Sequence, residues 1–88
     1  MDERYEIALK DVLEMTALSG HATVPKWRLS RWYGQVKFTV NIRRDLRERW
    51  LRLIKDELGW TTSPKLKLAE TGENIIMINA DAFFDDKE

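Results

Sequence analysis

The chain has 88 residues, 43% of them hydrophobic, which suits one hydrophobic core and leaves no room for a second domain. Zero Cys excludes a disulfide scaffold and a thiolate zinc site, and the single His leaves no ligand set for an all-protein transition-metal centre, so neither metal nor cofactor is expected. Fifteen basic residues balance fifteen acidic ones, and no apolar run approaches the ~18 residues a membrane span needs.

The chain opens on Met1-Asp2-Glu3-Arg4-Tyr5-Glu6, charged rather than basic and then apolar, so no secretory leader is expected and the expected compartment is the cytoplasm. From Glu3 to about Leu18, Tyr5, Ala8, Leu9, Val12, Met15 and Thr16 recur at spacings of three and four, predicting a helix. Glu6 with Lys10 and Lys10 with Glu14 are opposite charges four apart on its wet face. Ser19-Gly20 should end this helix, because Gly adopts the left-handed conformation without a side-chain clash.

Residues 21–34 support two readings. In the favoured one, Thr23-Val24 is a short extended segment, Pro25 opens a second helix over residues 25–33, and Gly34 closes it. In the other, Lys26 to Trp32 is a strand, Tyr33-Gly34-Gln35 a turn, and Val36, Phe38, Val40 and Ile42 alternate along a second strand. Beyond Asn41, the stripe Ile42, Leu46, Trp50, Leu53, Ile54 and Leu58 predicts a long helix, capped by Asn41 and stopped at Gly59. Lys65 to Glu70 and Asn74 to Ala80 flank Thr71-Gly72-Glu73 as a hairpin. Phe83 and Phe84 add a last apolar pair, so the expected domain is 1–84, followed by an acidic tail over 85–88.

Counted by position, the neutral total resolves into three blocks. Residues 1–20 carry two basic and five acidic groups, a balance of −3. Residues 21–55 carry ten basic against two acidic, +8, and residues 56–88 carry three against eight, −5. A basic middle third between acidic flanks is a partner signal that the net charge conceals.

The order helix, extended segment, helix, long helix, hairpin is that of an α+β winged helix-turn-helix-like domain, with three helices and a C-terminal hairpin. Asn41-Ile42-Arg43-Arg44-Asp45-Leu46-Arg47-Glu48 resembles the start of the recognition helix in winged-helix repressors of the DeoR type, which carry a Thr-Ile-Arg-Arg-Asp-Leu run there. Val24-Pro25-Lys26-Trp27-Arg28-Leu29 and Gly34 fall where that family has its preceding helix and closing glycine, so the resemblance spans residues 23–60. The chain departs from the family in its spacer, Gln35 to Val40, which is longer and more strand-like than the usual turn. The 88 residues also hold no effector-binding domain of the kind such repressors carry.

The resemblance implies double-stranded DNA as the partner and places a recognition helix near Asn41. Arg43, Arg44 and Arg47 then sit at the end that enters the major groove, where Arg pairs bidentately with guanine. Thr39 and Asn41 are placed for phosphate or an adenine edge, and Lys26, Arg28, Arg31 and Lys37 for backbone phosphate. The hairpin tip Glu70-Thr71-Gly72-Glu73 is acidic and repels phosphate, so Lys65 and Lys67 on the first hairpin strand are the expected wing contacts. Arg49, Arg52 and Lys55 point away from the groove, with Asp45–Arg49, Glu48–Arg52 and Arg52–Asp56 as four-apart ion pairs. Trp27, Trp32, Tyr33 and Phe38 interleave with the basic residues and read either as core or as base-stacking platforms, whereas Trp50 lies on the apolar stripe.

A homodimer is expected, since one short recognition helix buries too little surface for tight specific binding. The alternative is a protein-interaction module, an inhibitor or adaptor, docking its charge-segregated surface on a protein partner. Catalysis is not expected. His21 has no nucleophile or second His near it in sequence, Asp85 and Asp86 lie at a charged terminus, and Gly20, Gly34, Gly59 and Gly72 are isolated.

Overall fold

The first helix, α1 (Glu3–Ser19), begins where the Asp2 carboxylate accepts the Arg4 N–H at 2.8 Å. It ends where Gly20 turns to φ 101° and donates its N–H to the Thr16 carbonyl at 3.0 Å. The computed structural model describes residues 1–82, so Phe83, Phe84 and the expected tail lie outside the described residues. Leu9, Leu13, Thr16 and Ala17 face the core, and the Thr16 hydroxyl donates to the Val12 carbonyl at 2.9 Å. Met15, expected on the buried stripe, is 49% exposed, because it stands two positions from both Leu13 and Ala17, which turns it to the side of the helix away from the inward face they set.

The strand β1 (His21–Pro25) leads directly into α2 (Lys26–Trp32), so the helical reading of this stretch holds and the strand reading of 26–32 does not. Leu29 and Trp32, three apart, share one helical face and are both buried, whereas an extended chain would place them on opposite faces. Pro25 closes β1 and precedes the helix rather than starting it. It pairs with Asn74 between two hydrogen-bonded ladder positions, so its missing N–H removes no bond.

The second strand of that alternative reading, over residues 36–42, does not form either. Val36 is 95% exposed and α3 (Val40–Arg52) starts inside the alternation, because Ile42 belongs with Leu46 and Trp50 on the buried helical stripe. Its cap is Thr39, whose hydroxyl accepts the Ile42 N–H at 3.4 Å, not Asn41, which stands within the first turn. The helix then widens into a π-helical turn over Leu53–Glu57, in which the Leu58 N–H reaches the Leu53 carbonyl at 2.9 Å. This turn keeps both Leu53 and Ile54 buried, and Gly59 leaves it at φ 65°.

β2 (Leu66–Glu70) and β3 (Asn74–Asn79) form the expected hairpin, and β1 joins it as a third strand in the antiparallel order β1-β3-β2. The register sets Val24 against Ile75 and Leu68 against Met77. Val24, Ile75, Met77 and Leu66 are buried with α1, α2 and α3 against this face, giving an α+β domain of three helices on a three-stranded sheet. Buried Asn79 ties the layers, donating Nδ2–H to the Ala17 carbonyl at 3.2 Å and accepting the Asp81 N–H at 3.0 Å. Ala80–Ala82 is a 3-10 turn, and no helix of the described residues is long and apolar enough to cross a membrane.

Candidate nucleic-acid interface

With Ile42, Leu46 and Trp50 buried, the phase of α3 is fixed. Val40, Arg44, Arg47 and Leu51, spaced by four, three and four, form its outward face and are all exposed. On β2, Leu66 and Leu68 turn inward while Lys65, just before the strand, and Lys67 are exposed. Trp50 joins the two elements through its indole N–H, which donates to the Pro64 carbonyl at 2.7 Å. The result is a groove lined by Arg47 and Leu51 on one wall and by Lys65 and Lys67 on the other, with no carboxylate in its lining.

The remaining expected site residues are placed differently. Arg43 turns from the outward face toward the hairpin, where its Nη2 donates to Glu70 and its guanidinium lies 4.8 Å from the Phe38 ring centre. Lys26 Nζ approaches the other Glu70 oxygen at 2.9 Å. Hydrogen bonding from Lys26, with Arg43 beside it, holds the Glu70 carboxyl below the usual carboxylate range. Thr39, Asn41 and Arg31 line a separate cleft that contains Asp2, Glu6 and Asp45. Thr39 is occupied as the helix cap, and Arg31 Nε donates to the Tyr5 hydroxyl at 3.3 Å. Lys37 is exposed on the loop before α3, and Arg28 lies over the Trp27 ring at 5.3 Å.

Arg49 is absent from the lining of this groove, and its pairs reach further than the helix. Nη1 and Nη2 meet Glu6 of α1 at 2.7 and 3.0 Å, and Nε meets Asp45 at 2.6 Å. The Tyr33 hydroxyl donates to the same Asp45 oxygen at 2.6 Å. Hydrogen bonding from Arg49 holds Glu6 below its usual range. Burial pushes the Asp45 carboxyl up, and the bonds from Tyr33 and Arg49 more than offset it. Burial and that bond push the Tyr33 phenol up.

The pairs Glu6–Lys10 and Lys10–Glu14 give way to longer-range ones, since Lys10 meets Glu57 and Glu6 meets Arg49. Glu48–Arg52 and Arg52–Asp56 are not among the ion pairs of the described residues, whereas Asp45–Arg49 is.

Of the interleaved aromatic residues, Trp32 is buried and Tyr33 and Phe38 pack against the core, while Trp27 is 60% exposed. Sequence reading missed Val40 and Leu51 on the outward face, because the phase of α3 is legible only once its buried stripe is assigned. It also missed the contacts of Glu70, which join residues 27 and 44 positions apart and leave no local signal. No protein-family model, no curated protein and no solved structure gives a significant match to this chain.

Proposed function

We propose that this chain is a winged helix-turn-helix domain that binds double-stranded DNA as a small transcriptional or replication regulator, with α3 as its recognition helix. The observation that carries the reading is the carboxylate-free groove in which Arg47 of α3 meets Lys65 and Lys67 at the hairpin. Two other clefts contain Glu6, Asp56 and Glu57, or Asp2, Glu6 and Asp45, and suit an anion less well. The order of elements and the sheet order β1-β3-β2 support the winged-helix assignment.

The 13 residues of α3 extend about 20 Å, enough to lie along a major groove. In that pose Arg44 and Arg47 address base edges, with Val40 and Leu51 flanking them as apolar contacts to thymine methyl groups. Lys65, Lys67 and the exposed Lys37 hold phosphates and set the register. Arg28 and Arg31 sit on α2, outside the lining of this groove. One α3 reads few base pairs, and a second copy on a palindromic site supplies the remaining affinity.

Fluorescence anisotropy with labelled random-sequence duplex at low salt tests the reading. Binding that weakens at least several-fold in Arg47→Ala, with an unchanged circular dichroism spectrum, supports it. No binding by the folded wild-type protein overturns it and leaves the charge-segregated surface to a protein partner.

A further inference from the structure

Glu70 closes β2, and its two carboxylate oxygens are shared between two cations. Lys26 Nζ lies 2.9 Å from Oε1, and Arg43 Nη2 donates to Oε2. Lys26 is the first residue of α2 and Arg43 stands in the first turn of α3, so one carboxylate holds cations from two helices. A phosphodiester with two non-bridging oxygens would accept the same pair in the same way. The cluster is open to a ligand, with the Lys26, Arg43 and Glu70 side chains 27%, 28% and 42% exposed. Arg43 is held in place from behind by the Phe38 ring. Glu73 lies on the same hairpin tip, but its side chain is in none of the ion pairs of the described residues.

We infer that Glu70 is a specificity-determining residue, an internal competitor that occupies Lys26 and Arg43 and withholds them from sequence-independent contact with backbone phosphate. This inference rests on the DNA-binding reading above. It gives the acidic hairpin tip a role: one carboxylate, aimed at one pair of cations, lowers indiscriminate affinity while leaving Arg44 and Arg47 exposed to read bases. Such repulsion of the wrong ligand is a usual source of discrimination.

The experiment compares wild type, Glu70→Gln and Glu73→Gln for binding to random-sequence duplex over a salt series, each checked by thermal melting. Glu70→Gln releases two cations, so its affinity at low salt rises roughly three- to tenfold and the slope of log K against log salt steepens by about one to two. Glu73→Gln makes the same charge change on the same hairpin and shifts affinity less than about twofold. Glu70→Ala carries the same expectation as Glu70→Gln, should the latter fail to fold. An unchanged affinity and slope in folded Glu70 variants overturns the inference, and so does an equal gain in Glu73→Gln. If folded wild type does not bind duplex, the DNA-binding reading fails and the inference with it, whereas wild-type binding with no gain in the Glu70 variants sinks the inference alone.

Discussion

Replacing Trp50 by Phe tests how the groove is held open at its present width. Trp50 is 2% exposed on the inward face of α3, and its indole N–H donates to the Pro64 carbonyl at 2.7 Å, one residue before Lys65. Phe keeps an aromatic ring but removes the donor and three non-hydrogen atoms. The stranded carbonyl, buried where water does not reach, costs about 1–3 kcal/mol. The space left by the smaller ring adds about 1 kcal/mol. Together these remove roughly 2–4 kcal/mol, a large part of the ~5–15 kcal/mol that stabilises a domain. For a domain of this size that corresponds to a fall in Tm of roughly 10–25 °C. Thermal unfolding followed by far-ultraviolet circular dichroism reads it directly. A fall smaller than about 4 °C would refute the claim that this bond and its packing fix α3 to the hairpin.

Arg49→Met removes the contacts to Glu6 and Asp45, at a cost of about 1–2 kcal/mol near neutrality for a partly exposed network. Both carboxyls lie below their ordinary values, so the stabilisation is present above the unfolded carboxylate range and is lost as pH falls through the folded values. Urea midpoints should therefore separate wild type and variant at about pH 6 and converge toward about pH 2, and a pH-independent gap contradicts this. Gly20→Ala strains a backbone at φ 101° and brings the new Cβ to 3.3 Å from the Ala82 Cβ. Gly34→Ala, at φ 64° with nothing within 4 Å, carries only the backbone cost. Chemical denaturation should rank Gly20→Ala as the more destabilising by about 1 kcal/mol, and the reverse order contradicts the packing at the end of α1.

Much of the fold was legible where a local pattern has one solution. The helix α1, Gly20 at its end and the stripe from Ile42 to Ile54 appear as read, but the buried face of α1 takes Leu13 and Ala17 in place of Met15. The stretch from Lys26 to Ile42 was ambiguous because its apolar residues fit both a helical and an alternating period. Burial of Leu29 with Trp32, and of Ile42 with Leu46, decides between them, and burial is a tertiary quantity. The third strand was half legible: Thr23-Val24 read as extended, but nothing local shows that β1 pairs with β3, some fifty residues away. For the candidate site, charge counted by position found Arg47 in the basic third, but not Lys65 and Lys67, which share its groove from the acidic last third. The same count treated Arg43 and Arg44 alike. Only the phase of α3 and the carboxylate of Glu70 separate them, turning one inward to the hairpin and leaving the other exposed.

The salt dependence of duplex affinity tests the DNA-binding proposal most directly. Phosphate contacts from Lys37, Lys65 and Lys67 predict a slope of log K against log salt of about −2 to −3, with each phosphate contact contributing about −0.9. Lys65→Ala with Lys67→Ala should flatten that slope by about 2 and weaken binding to every duplex sequence alike. A slope near zero, or one that the double substitution leaves unchanged in a folded protein, contradicts the proposal.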